Sequence, residues 1–291
     1  MTGLPVIGIT SGDPAGIGPE VIRAALASGR LPEGFRYDIT GPMSGHPPGE
    51  PGESGAREAA EALEAAAAKL LAGEWHAVVT GPVSKQALHQ VGYPFPGQTE
   101  FFAARSATEN FAMCLTGGPL TVALVTAHVP LADVAAILCP SEIVRVGRLL
   151  ADFLRRTGTA APRIAVAGLN PHAGEGGDLG REEIDIIAPA VEILRGAGNF
   201  SGPYPPDTVF HRAAAGEFDG VLCMYHDQGL IPLKLLAFDC GVNVTLGLPF
   251  VRTSPDHGTA FAIAGKGTAR PESMIAAIQL AARMLAAEAH K

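Results

Sequence analysis

The chain has 291 residues, 47% hydrophobic and 17% charged, enough for one large or two ordinary globular domains and not the composition of a disordered or fibrous protein. Its net charge of −8 gives no basic footprint for nucleic acid, and no apolar run reaches the length of a membrane span. The N-terminal MTGLPVIGIT lacks a basic n-region, so no signal peptide is expected and the cytoplasm is the expected compartment.

In chain order, PVIGIT reads as a strand and PAGIGPEVIRAALAS as a loop opening a helix, with Pro19 at a tolerated early position. GPMSGHPPGEPGESGAR, crowded with Gly, Pro and Ser, predicts a solvent-exposed loop. AREAAEALEAAAAKLLAGE is the clearest helix, and HAVVTGPVSK a strand ending in a turn. TVALVT, RIAVAGL and GVLCMY are further apolar strands, with SEIVRVGRLLADFLRRT and EEIDIIAPAVEILRGAG as amphipathic helices beside them and PESMIAAIQLAARMLAAEAH as a final helix. This alternation predicts an α/β fold with a largely parallel sheet and no internal repeat. Of the four cysteines (Cys114, Cys139, Cys223, Cys240), none has CxxC spacing, and three lie in or beside apolar runs and read as buried thiols of a reducing compartment.

The loop Gly12-Asp13-Pro14-Ala15-Gly16-Ile17-Gly18-Pro19-Glu20 stands where a dinucleotide fold puts its phosphate loop. A GxGxxG starting at Gly16 would need glycine where Val21 stands, so the Rossmann fingerprint is absent. A Walker pattern fails at Lys266, which no Ser or Thr follows, and at Ala260. A tight strand-to-helix turn is the plainer reading of these glycines.

Three histidines each sit where an apolar run breaks into a polar loop: His128 in VALVTAHVPL, His172 in IAVAGLNPHAGEGG and His226 in GVLCMYHDQG. Their long separations exclude a zinc finger or an HExxH helix and suit a metal site assembled from loops at one edge of an α/β sheet. His46, His76, His89 and His290 read as solvated loop side chains, His211 as surface, and His257 in TSPDHGTA as the best competitor for a ligand. Asp227, Asp256, Glu175 and Asp207 are candidate carboxylate partners or proton acceptors. Lys234, Asn243 and Arg252 follow in IPLKLLAFDCGVNVTLGLPFVRTS, where cations among apolar strands are costly unless they meet an anion. The plainer alternative is that both cations reach the surface or pair with an acid.

Together, ITSGDPAGIGPE, TGPVSK, PGQTEFFA, TAHVPL, GLNPHAGEGG, CMYHDQG and VNVTLGLPFVRTSPDHGTA make the chain resemble the 4-hydroxythreonine-4-phosphate dehydrogenase family from first strand to last helix. The resemblance implies an isocitrate/isopropylmalate dehydrogenase-like α/β fold, mostly parallel, with two domains flanking a cleft. The division expected is 1–127 plus 258–291 against 128–257, the second domain carrying metal ligands and anion-binding residues. It also implies a homodimer, inactive as a monomer, with one divalent metal on His128, His172 and His226 shared across the interface. The family's substrate contacts fall on Lys234, Asn243, Arg252 and the pair Gln98-Thr99, where Gln98 replaces a histidine and offers phosphate a neutral amide donor. The short GPMSGHPPGEPGESG segment is a second departure, since the family carries a longer insertion there.

The implied reaction oxidises 4-phosphohydroxy-L-threonine to 2-amino-3-oxo-4-(phosphonooxy)butanoate, which decarboxylates to 3-amino-2-oxopropyl phosphate on the way to pyridoxal phosphate. The metal would lower the pKa of the substrate hydroxyl as hydride moves to NAD or NADP. Lys234 and Arg252 would hold phosphate and carboxylate, and Asp207 or a water at the metal would take the proton. Three imidazoles favour zinc, cobalt or nickel, with magnesium open. Rival readings are a sister dehydrogenase acting on a phosphorylated threonate or erythronate or a cis-dihydrodiol carboxylate, a non-catalytic metal- or phosphate-binding regulator, and a metal-dependent hydrolase.

Overall fold

The computed structural model describes residues 3–288, so His290 lies outside the described residues. The chain forms two compact units, Met1–Glu109 with Leu248–Lys291, and Asn110–Gly247.

In the first unit β1 (Val6–Thr10), β2 (Arg36–Thr40), β3 (Ala77–Thr80) and β10 (Val251–Pro255) lie in the order β2-β1-β3-β10, all parallel. β1 and β3 are buried along their whole length, as their unbroken apolar runs require. Gly8 is needed in β1 because an added Cβ would stand 1.8 Å from the Trp75 ring. That indole donates from Nε1 to Asp38 at 2.8 Å, and Lys69 donates to the same carboxylate oxygen at 3.0 Å. Among the described residues, five α-helices accompany the sheet: α1 (Gly18–Ala27), α2 (Glu53–Leu71), α3 (Lys85–Gln90), α4 (Gln98–Arg105) and α10 (Glu272–Glu288). α2 starts earlier than the glycine- and proline-rich composition suggests. Gly52 is the extended residue before it, and Arg57 pairs with Glu53 one turn away, so ESGAR is helix rather than loop.

The second unit holds β4 (Ala112–Gly117), β5 (Leu120–Leu124), β6 (Arg163–Ala167), β7 (Asn199–Tyr204), β8 (Gly220–Cys223) and β9 (Val242–Leu246) in the order β9-β4-β5-β8-β6-β7. β4 is antiparallel to both neighbours, while β5, β8, β6 and β7 run parallel. Around them are α5 (Leu131–Ile137), α6 (Pro140–Arg156), α7 (Ala188–Arg195), α8 (Pro206–Ala214) and α9 (His226–Ala237). α6 buries Ile143, Val146, Gly147, Leu150 and Leu154, a stripe at helical spacing. Leu115, Val122, Leu124, Val209, Val221, Leu230 and Leu233 form the core between α8, α9 and the strands.

The expected α/β fold with mostly parallel strands is present, with local differences. Lys234 lies on a helix, α9, and not among strands; Gly229 and Pro232 interrupt its helical pattern, yet Gly229 lets α9 approach β8 so closely that a Cβ would stand 2.9 Å from the Cys223 sulfur. EEIDIIAPAVEILRGAG begins as a π-helical turn, Glu183–Ile187, before α7. Two cysteines, not three, are buried, Cys114 and Cys223, and burial pushes both thiols up, so they are inert. Among the described residues no helix is long and apolar enough to cross a membrane.

Candidate active site

β5, β8 and β6 are adjacent and parallel, so their C-terminal ends open on one edge of the second unit. His128 follows β5, His226 opens α9 directly after β8, and His172 follows β6. This is the edge where open α/β sheets place their ligands. The His128 and His226 rings lie with centroids 5.8 Å apart, tilted by 42°. They line a cavity of about 440 Å³ together with Val129, Leu131, Val134, Tyr225 and Asp227.

Two of the imidazoles are backed by carboxylates. His226 Nδ1 lies 2.7 Å from Asp227 Oδ1 and His172 Nδ1 lies 2.8 Å from Glu175 Oε2. A carboxylate at Nδ1 fixes the proton there and leaves the Nε2 lone pair outward, the orientation a metal-ligating histidine needs. The donor set therefore fits a divalent metal. Within the single chain, however, the described residues bring no three His, Cys, Asp or Glu side chains into one metal-holding group. His128 and His226 converge; His172 is exposed on its own turn. That turn is left-handed, with φ of 53° at His172, 54° at Ala173 and 44° at Glu175, each non-glycine residue costing roughly 1–2 kcal/mol.

Gln228, buried at 6% exposure, ties two of these strand ends together. Its Oε1 accepts from Met224 N–H and its Nε2 donates to Gly168 O, both at 2.6 Å. Asp207 is exposed in the first turn of α8, Lys234 is half-buried on α9, and Asn243 sits on β9 opposite Leu115.

In the first unit, Arg252 on β10 meets Gln98 and Thr99 at the start of α4. Its Nη2 donates to Thr80 Oγ1 at 2.7 Å and to Gln98 Oε1 at 3.4 Å, and its Nη1 reaches Thr99 Oγ1 at 3.4 Å. Arg252 is 3% exposed. Burial brings its pKa down to about 10, offset in part by Tyr93 and Glu100, so it stays charged at neutral pH. A buried cation among hydroxyl and amide oxygens, beside a helix start, is suited to an anion. The Gln98 amide is turned otherwise than the sequence suggests. Its Nε2 donates to Gly81 O at 3.1 Å and its oxygen faces Arg252, so it supports the arginine instead of presenting a donor.

The glycine-rich loop takes its plainer reading. Cβ atoms at Gly12, Gly16 and Gly18 would stand 2.3, 2.8 and 2.2 Å from Pro82 O, Thr259 O and Ser11 O, so the glycines serve close backbone packing. Asp13 within the loop is 2% exposed; burial raises its pKa, with Ala15 N–H and His46 acting the other way. The competitor His257 lies after β10 in the first unit, with Nδ1 at Gly258 O. His46, His76 and His89 are not merely solvated; they meet Glu58, Val6 N–H and Phe95 O respectively. His211 is exposed on α8, as expected.

Residues 27–281 match the family model described as pyridoxal phosphate biosynthetic protein PdxA. A 4-hydroxythreonine-4-phosphate dehydrogenase from Caulobacter vibrioides is 56% identical over 74% of this chain and 67% of its own length. A D-threonate 4-phosphate dehydrogenase from Pectobacterium atrosepticum is 41% identical over 96% and 99%. Among solved structures, a 4-hydroxythreonine-4-phosphate dehydrogenase from Klebsiella pneumoniae superposes with TM-score 0.80 at 40% identity, covering 96% of this chain and 99% of that one. Isocitrate dehydrogenase from Methylococcus capsulatus shares the fold at TM-score 0.58 and 16% identity, over 97% and 85%.

Proposed function

The chain belongs to the family described as pyridoxal phosphate biosynthetic protein PdxA, and on that premise we propose that it is a dehydrogenase oxidising 4-phosphohydroxy-L-threonine to 2-amino-3-oxo-4-(phosphonooxy)butanoate, which decarboxylates to 3-amino-2-oxopropyl phosphate. The observation that carries this reading is the convergence of His128 and His226 at a strand edge, with Asp227 behind the second imidazole. A divalent metal held by His128, His172 and His226 would polarise the substrate hydroxyl, and NAD or NADP would take the hydride. Zinc, cobalt or nickel suits the imidazole donors, with magnesium open.

The chain's own groups supply position and proton transfer. Arg252 and Thr99 receive the phosphate, with Gln98 and Thr80 holding the guanidinium in place. Lys234 and Asn243 are further substrate-binding groups, the ammonium of Lys234 balancing the substrate carboxylate. Asp207, open to solvent on α8, is the proposed proton acceptor.

The functional unit is a homodimer drawing its three imidazoles from two chains. On the helix that His226 opens, Ile231 and Leu235 of α9 and the capping Phe238 are 66%, 82% and 75% exposed, an apolar stripe suited to a second copy.

A second reading is favoured by Gln98: replacement of the family histidine suits a sister activity such as D-threonate 4-phosphate oxidation. Nicotinamide reduction, measured by absorbance with 4-phosphohydroxy-L-threonine, phosphorylated threonate and erythronate, and a cis-dihydrodiol carboxylate, tests both. The panel is run with each nucleotide on metal-replete and metal-stripped enzyme. Turnover of the first substrate, lost on stripping and in His172→Ala, is expected; no activity on it would sink the assignment.

A further inference from the structure

The turn that carries His172 has a backbone that L-residues seldom hold beyond a single position. φ is positive at six successive residues, His172 to Gly177, at 53°, 54°, 79°, 44°, 70° and 109°. Such a conformation persists only where its surroundings over-determine it. The turn's own bonds include Ala173 N–H to Asn170 O and Leu179 N–H to Gly174 O, both 3.1 Å.

A further hold comes from a side chain outside the turn. Glu183, in the π-helical turn before α7, is 3% exposed although it is a carboxylate. Its Oε1 accepts from Leu169 N–H and Asn170 N–H, both at 2.7 Å, and its Oε2 accepts from Asn170 Nδ2 at 3.0 Å. Asn170 Nδ2 also reaches Glu182 at 2.7 Å. The turn closes directly over this carboxylate: a Cβ at Gly174 would stand 2.7 Å from Oε2, and one at Gly168 3.0 Å from Oε1. Gly174, at φ 79°, is needed where the backbone meets the acid, and Gly168 leaves room for the same close contact.

We propose that Glu183 is the positioning residue for His172. It touches no reacting atom; its carboxylate fixes the two residues from which the left-handed turn departs, and so the direction in which His172, backed by Glu175, offers Nε2 to a divalent metal. Buried acids are tolerated when fully hydrogen-bonded, and here the bonds all go to the strand end and turn that deliver the ligand. The inference rests on the metal-binding reading of His172 given above.

The test is calorimetric titration of the metal-free full-length protein with zinc or cobalt ion alone, alongside thermal unfolding of each metal-free variant. His172→Ala is expected to weaken metal binding, and Glu183→Ala to weaken it about 10- to 100-fold, the range for groups that orient ligands. Glu183→Gln keeps an oxygen for both backbone N–H groups and is expected to recover most of the affinity. Metal affinity in a folded Glu183→Ala equal to that of the parent overturns the proposal. If that variant does not fold, Gly174→Ala decides, because its methyl displaces the carboxylate from the turn: about tenfold weaker binding supports the proposal, unchanged binding overturns it. Unchanged binding in His172→Ala overturns the metal reading itself, and the proposal with it, and is distinguishable from failure at Glu183 alone.

Discussion

Replacing Arg252 by methionine separates a residue kept for stability from one kept for a ligand. Burial lowers the guanidinium from its ordinary 12.5 to about 10. At about 1.4 kcal/mol for each tenfold change, the charge costs the fold roughly 3 kcal/mol. Methionine removes that cost but leaves the oxygens of Thr80 and Gln98 without their donor, a loss of about 1–3 kcal/mol. The net expectation for the ligand-free protein is between no change and a gain of about 2 kcal/mol, read from urea unfolding. The same change removes charge-assisted bonds of about 1.5–3 kcal/mol each from a bound phosphate. With two such bonds, kcat/KM falls by about 10²–10⁴, and the rise in Tm that phosphorylated substrate gives the parent protein disappears. Arg252→Lys falls between, keeping charge but not the planar fork. A ligand-free Arg252→Met destabilised by more than about 2 kcal/mol, with substrate protection intact, would refute the reasoning and make the arginine structural.

On α9, Leu235→Glu puts a charge in the middle of the exposed apolar stripe; light scattering should show a dimer becoming a monomer, with activity lost in parallel, and an unchanged dimer excludes this face. Asp13 has a raised pKa, so its neutral form favours the fold: that contribution is complete below the ordinary carboxylate range and is lost as pH rises through the elevated folded value. Asp13→Asn should therefore unfold at higher temperature at pH 7, with the difference closing below about pH 4; a difference that grows on acidification contradicts the sign. Gly8→Ala drives a methyl into the Trp75 ring and should cost about 1–3 kcal/mol in urea unfolding. Chelator should abolish nicotinamide reduction and zinc or cobalt restore it; rates indifferent to chelator would remove the metal from the reaction.

The histidine edge was legible because each ligand candidate ends an apolar run, and apolar runs are what a sequence displays most openly. β2 and β7 were not, being edge strands in the order found, with half-exposed residues and, in β7, Gly202 and Pro203 within the strand. Arg252 could be named from its motif, but the hydroxyl of Thr80 that receives it lies 172 positions away, a pairing no local pattern encodes. The orientation of Gln98 is likewise set by the Gly81 carbonyl, 17 residues off. Glu183 left one faint trace. It stands four residues before Ile187, which is fully buried, so a carboxylate occupies the apolar face of an amphipathic pattern. Such a residue is a buried, partnered acid or an error in the pattern, and only coordinates distinguish the two.

The interrupted first unit has a consequence for synthesis on the ribosome. Asn110–Gly247 is contiguous and contains all its own strands, so it can fold as soon as it emerges. The first unit waits for β10, which pairs with β3 and comes from the last part of the chain. Until then the N-terminal strands present an unpaired β3 edge, open to wrong partners. The proposed anion site around Arg252 thus forms only after the second unit is complete, and a released chain ending at residue 250 should resist protease across 110–247 while remaining cleavable before it.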